Sequence, residues 1–108
     1  MSDYDFRAKK NAPCYLTVRD IAVFMGIKQR VAGQYLTEAR MNYRRGTVKP
    51  SDMPLPDALA GFKRQTPLWH YDTIREWLTR RPYASVCLPM SEAEGLALLR
   101  ELSDGAKD

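Results

Sequence analysis

The stretch that most constrains this chain of 108 residues is Leu16 to Ala39, LTVRDIAVFMGIKQRVAGQYLTEA. It reads as two helices joined by a tight turn. Thr17 is placed to cap the first helix, and Asp20 sets a carboxylate at its positive end. Val18, Ile21, Ala22 and Met25 recur at helical spacing and predict the buried face. Gly26 supplies the permissive backbone that ends the helix, and Ile27 is expected to plug the gap before the next one. The second helix is predicted from Lys28 or Gln29 to Ala39, or on to Asn42 or Tyr43. Its inward stripe is Val31, Ala32, Tyr35 and Leu36. Its other face offers Lys28, Gln29, Arg30, Gly33, Gln34 and Arg40. Arginine, lysine and glutamine match the geometry of base edges and phosphates. A short helix, a glycine turn and a basic second helix are the parts of a helix-turn-helix. A helical hairpin with a solvated polar face fits the same pattern.

Charge is unevenly spread around the net +4. Residues 1–82 hold 15 Lys and Arg against 8 Asp and Glu, whereas residues 83–108 hold 2 against 5. A basic body with an acidic tail suits a polyanion partner. Cys14 and Cys87 are too few for a disulfide framework or a zinc site, so two free thiols, no metal and no cofactor are expected. No segment has the length of a membrane span and the N-terminus lacks the apolar core of a secretory leader. The expected setting is cytoplasmic and nucleoid-associated, in a prokaryotic or phage-infected cell, with no membrane partner.

Three regions follow from composition. Residues 1–13 are a polar, flexible arm in which Arg7, Lys9 and Lys10 can touch phosphate. Residues 14–82 form the folded domain, entered through the apolar Cys14-Tyr15-Leu16, a small strand or staple onto the first helix. Residues 83–108 comprise an apolar linker and an acidic helix. Within the domain, Arg44 and Arg45 before Gly46 serve as phosphate clamps or complement the helix dipole. Pro50, Pro54 and Pro56 preclude a regular helix. Two short strands are expected, around Met53–Leu55 and around Leu68–His70, with Lys63 and Arg64 in the loop between them. A third helix is predicted with Asp72 as N-cap, Ile74, Trp77 and Leu78 inward, Arg75, Arg80 and Arg81 elsewhere, and Pro82 as terminator. Trp69 and Trp77 read as core. Ser91 and Glu94 form a capping box for a last helix over 92–102, with Leu96, Leu99 and Leu102 on one side and Ala93, Ala97 and Leu98 adjoining. That helix folds back on the domain or pairs with a second copy.

Taken in order, these motifs resemble the small winged helix-turn-helix domains of the MerR-like, excisionase-like superfamily. The resemblance is carried by Leu16-Thr17-Val18, Ile21-Ala22, Gly26-Ile27, Val31 and Tyr35, the approach Met53-Pro54-Leu55-Pro56, then Leu68-Trp69, Asp72 to Leu78, and Arg80-Arg81-Pro82. It implies a mainly α fold with a small β-hairpin wing, plus the C-terminal helix as an addition. It also implies sequence-selective binding of double-stranded DNA, by a protein of phage or mobile-element origin and actinobacterial type. Such a protein is an excisionase, that is a recombination directionality factor, or a small transcriptional regulator. Partners then include DNA, a second copy through the C-terminal helix, and an integrase or other protein. Lys28, Gln29, Arg30 and Gln34 are expected in the major groove, Arg19, Arg40, Arg44 and Arg45 on phosphates, and Lys63 and Arg64 on the wing. The stretch from Arg44 to Thr66 is longer than in the smallest excisionases, and the last helix is too short for a MerR dimerisation coil.

An enzyme is disfavoured. His70 is the single histidine, it has no nucleophile motif beside it, and no glycine-rich phosphate loop is present. Two other readings remain: a phage protein-interaction module acting on a host protein, and a small terminase-type DNA-recognition subunit.

Overall fold

The computed structural model describes Lys9 and residues 12–81 and 88–105. Its elements are α1 (Val18–Met25), α2 (Gln29–Arg45), β1 (Ala58–Ala60), β2 (Thr66–Leu68), α3 (Tyr71–Arg80) and α4 (Glu92–Gly105). The chain is thus mainly helical with one two-stranded antiparallel sheet among the described residues. The expectations for Arg7, Lys10, Pro82 and Cys87, and for most of the 83–90 linker, lie outside these residues.

The first helix begins as its sequence dictates. The Thr17 N–H donates to Asp20 Oδ2 at 3.0 Å, and the Asp20 N–H donates to Thr17 Oγ1 at 3.3 Å, a reciprocal box that satisfies two otherwise orphaned donors. It ends at Gly26, whose left-handed φ of 69° lets the Gly26 N–H reach the Val23 carbonyl and the Ile27 N–H reach that of Ala22. The second helix closes in the same way: Gly46 has φ 73°, and its N–H and that of Thr47 bond the carbonyls of Tyr43 and Asn42. Tyr43, Arg44 and Arg45 are therefore helical, and α2 runs farther than its apolar stripe suggests. Ile27 is only half-buried and lies at the rim of a groove instead of plugging the turn.

The core gathers Leu16, Ile21, Phe24, Leu36, Ala39, Met53, Trp69, Tyr71, Ile74, Trp77, Leu78 and Leu88. Val18, Met25 and Tyr35 pack at its edge, so the buried faces of α1 and α2 are rotated from the expected stripes toward Phe24 and Ala39. Leu16 is fully buried and exchanges two backbone hydrogen bonds with Trp69, of 2.8 and 2.9 Å, which ties the lead-in of α1 to the root of the hairpin.

The first strand lies elsewhere than expected and the second is shifted toward the N-terminus. β1 occupies Ala58–Ala60 rather than Met53–Leu55, in the register Ala58↔Leu68 and Ala60↔Thr66. β2 occupies Thr66–Leu68, overlapping the expected Leu68–His70 at Leu68 and followed by the Trp69 bridge to Leu16. The physical reason is the proline spacing together with the tryptophans. Pro54 and Pro56 have no N–H for a ladder. The carbonyls of Pro54 and Ser51 are committed to the indole N–H groups of Trp69 (2.8 Å) and Trp77 (3.0 Å). Residues 51–55 become a strap over two buried indoles, with Met53 driven into the core. Asp52 anchors the strap, its Oδ2 accepting from Asn42 Nδ2 and from the Lys49 N–H, both at 3.0 Å.

The third helix starts two residues earlier than Asp72 suggests. Its N-cap is His70, whose N–H donates to Asp57 Oδ2 at 2.8 Å, while Asp72 lies exposed in the first turn. Tyr71 is buried at its start. Arg81, expected to point elsewhere, lies over the rings of Tyr35 and Trp77, 5.2 Å from each centroid, and so joins α3 to α2 by cation–π contact. Arg75 is half-buried, with Nη1 3.4 Å from Met90 Sδ.

The last helix folds back. Leu96, Leu98 and Leu99 pack on the core, and α4 contacts α1 and α3. The Ser91 hydroxyl accepts from the Glu94 N–H at 3.5 Å. Leu102, expected on the buried side, is 37% exposed, and Ala93 and Ala97 face solvent. The apolar seam belongs instead to Gly95 and the three inner leucines.

Candidate nucleic-acid interface

The outer surface of α2 carries four exposed arginines, Arg30, Arg40, Arg44 and Arg45. At 100° per residue, Gln29, Arg40, Arg44, Arg30, Gln34 and Arg45 sweep one continuous sector of about 160°, which adjoins the buried stripe of Ala32, Leu36 and Ala39 at its Gln29 edge. All six are exposed. The only carboxylate on α2, Glu38, sits at the margin of that sector and lines a separate groove with Arg81 and Asp52. Seventeen residues give the helix a length of about 25 Å.

Two grooves flank this face. At the start of α2, Arg19 and Gln29 share an open groove of about 620 Å³ with Ile27 and with Glu101 and Leu102 of α4. Toward its end, Arg40 and Arg44 share a groove of about 550 Å³ with Leu55 and with Ala58 and Leu59 of β1. The hairpin therefore stands beside the second half of α2, and the basic flank of the helix faces it. Lys28 is the exposed N-cap of α2 and makes no side-chain cap bond. Gly33 has nothing within 4 Å of where a Cβ would sit, so the middle of the helix presents a bare backbone. Arg45 is turned to the far flank, away from Arg40 and Arg44, and does not share their groove.

Lys63 and Arg64 are exposed in the five-residue loop between Ala60 and Thr66, where the expectation of a basic hairpin tip is met. Gly61 (φ 91°) and Gln65 (φ 49°) take left-handed backbone at the two ends of that loop. From Ala58 to Tyr71 the chain carries no carboxylate.

Compared with known proteins, the chain matches no family model, no curated sequence and no solved structure.

Several surface residues escaped the sequence reading. Thr37 and Met41 lie between Gln34 and Arg44 on the exposed face, in line with Arg30 at intervals of seven and eleven residues, and helical arithmetic from Arg30 finds both. The Thr37 hydroxyl donates to the Gly33 carbonyl at 3.1 Å. Phe62, at the hairpin tip, is 96% exposed. Its signal was the sequence Gly-Phe-Lys-Arg itself, an aromatic residue placed in a turn. Among the described residues no cluster of His, Cys, Asp and Glu is arranged to hold a metal ion, and no helix is long and apolar enough to cross a membrane.

Proposed function

We propose that this protein binds double-stranded DNA sequence-selectively as a winged helix-turn-helix, with α1 and α2 as the helix pair and the β1–β2 hairpin as the wing. The observation that carries this reading is the continuous exposed face of α2 from Gln29 to Arg45, rich in Arg and Gln and free of carboxylate except at its margin. A helix about 25 Å long with such a face has the length and chemistry to lie along a major groove. Arg30, Gln34 and Gln29 read base edges, with Lys28 at the mouth of the groove and Gly33 permitting close approach. Arg19 neutralises phosphate at the start of the helix and Arg40 and Arg44 toward its end, and Arg45 reaches a strand from the far flank. Lys63 and Arg64 carry the wing to the neighbouring backbone or minor groove. The biological role this suits is that of an excisionase-like recombination directionality factor or a small transcriptional regulator. Its setting is then cytoplasmic, with DNA, and through DNA a second copy or an integrase, as partners.

A second reading, a module that docks on another protein, is favoured by the exposed Tyr43, Val48, Leu55 and Leu59 around the α2–β1 region. The experiment that separates the two is selection from a random duplex library at near-physiological salt, with Arg30→Ala and Lys63→Ala alongside the natural chain. The expected result is an enriched motif that Arg30→Ala relaxes at one position, at a cost of about 1–3 kcal/mol. Lys63→Ala weakens all sequences alike and flattens the salt slope by about one. No enrichment, with no duplex binding even in dilute salt, rejects the DNA reading. A large ring by mass measurement points instead to a small terminase-type subunit.

A further inference from the structure

Phe62 is the most exposed large apolar side chain described, at 96%, and it stands at the tip of the hairpin. Exposing a whole phenyl ring to water is unfavourable, and nothing in the hairpin covers it. The loop begins at the left-handed Gly61 and ends at the left-handed Gln65, and Phe62, Lys63 and Arg64 stand exposed between them. Two cations thus follow an aromatic ring directly, on a hairpin with no carboxylate from Ala58 onward. That combination selects the partner. A protein partner would need an apolar pocket rimmed with carboxylates to meet all three side chains. A duplex offers both complements at once, phosphates for the cations and the apolar faces of stacked bases for the ring.

We infer that Phe62 is a wedge that enters the minor groove and partly unstacks one base step, so that the wing kinks the DNA it holds. This inference rests on the DNA-binding reading above and adds to it a residue, an action and a deformation of the target. Lys63 and Arg64 seat the tip on the phosphates, and Phe62 converts that contact into a kink toward the major groove of the wedged step. The inserted ring also biases the site toward steps that unstack cheaply, such as pyrimidine–purine steps, without any hydrogen bond to a base.

The test uses the full chain and a duplex carrying its selected site. 2-Aminopurine is scanned through the positions next to the minor-groove contact, and end-labelled duplexes report bending by energy transfer. The variants are Phe62→Ala, Phe62→Leu and Lys63→Ala. With the natural chain, 2-aminopurine fluorescence is expected to rise several-fold at one step and the ends to draw together. Phe62→Ala abolishes both signals and weakens binding about tenfold with an unchanged salt slope. Phe62→Leu, which keeps an apolar wedge, retains part of the bend. Lys63→Ala shallows the salt slope but keeps the fluorescence rise. Because the ring touches nothing in the fold, Phe62→Ala should melt as the natural chain does. Salt-sensitive binding with no fluorescence rise, or a bend that survives Phe62→Ala, overturns the wedge and leaves the DNA reading standing. Absence of any duplex binding by the natural chain removes both.

Discussion

Tyr71 occupies the space that a side chain at Gly95 would need. A Cβ built on Gly95 collides with Cε1, Cζ and the hydroxyl oxygen of Tyr71, and that hydroxyl donates to the Pro89 carbonyl at 2.6 Å. The fold-back of α4 therefore depends on a missing methyl group. Gly95→Ala is expected to destabilise the protein by about 1–3 kcal/mol, the usual cost of overpacking, although alanine is the better helix former. Urea denaturation measures the loss. Hydrogen exchange should show it concentrated in α4, with α1 and α2 still protected.

The same tyrosine gives the fold an alkaline limit. Burial pushes the Tyr71 phenol above its ordinary value of 10.0; Arg75 nearby opposes this, and Asp72, Glu94 and Glu92 add to it. A group whose pKa is raised by folding contributes its full stabilisation below the unfolded value and loses it as pH climbs through the folded value. Stability is therefore expected to be insensitive to Tyr71 ionisation at neutral pH and to fall above about pH 10. Tyr71→Phe costs about 1 kcal/mol at neutral pH through the lost hydrogen bond, yet should fall less steeply above pH 10. Urea midpoints of both proteins from neutral to strongly alkaline pH test this. Parallel curves would show that the phenol does not titrate against the fold.

The ends of α1 were legible in the sequence because their chemistry is local. Thr17, Asp20 and Gly26 act on neighbours within a few residues, and each does in the structure what its type predicts, whereas the end of α2 at Gly46 and the start of α3 at His70 were not foreseen. The strands were not legible, because their position is decided over longer distances. Nothing near Met53 announces that the carbonyls of Ser51 and Pro54 are claimed by indoles 26 and 15 residues away, respectively. The exposed basic face of α2 and the basic hairpin tip follow from pattern alone. The approach of β1 to Arg40 and Arg44, and that of Glu101 to Arg19, needed the packed structure.

The two indoles offer a direct measure of the strap. Trp69→Phe and Trp77→Phe keep an aromatic ring in the core but strand the Pro54 and Ser51 carbonyls respectively. Each substitution is expected to cost about 1–3 kcal/mol for the unsatisfied acceptor, plus a packing loss for the smaller ring. Residues 50–57 should then exchange amide hydrogens faster in both variants. Both substitutions act on one strap, so the double variant should lose less than the sum of the singles. Strict additivity in chemical denaturation would show that the strap is not a unit.

Glu101 sits at the groove that also holds Arg19 and Gln29, at the start of the face proposed to read DNA. A carboxylate there repels an approaching phosphate and shares the field of Arg19. Both effects weaken binding without regard to base sequence. Glu101→Gln keeps size and helix propensity while removing the charge. It is expected to strengthen duplex binding by severalfold in dilute salt, equally for selected and random sequences, with the gain shrinking as salt rises. Arg19→Ala in the same background should cancel most of that gain if Arg19 is the phosphate contact that Glu101 opposes. Titrations of both variants at two salt concentrations decide it. A gain confined to the selected sequence would mean that α4 acts on base reading through Gln29, and an unchanged affinity would show that the groove lies off the DNA path.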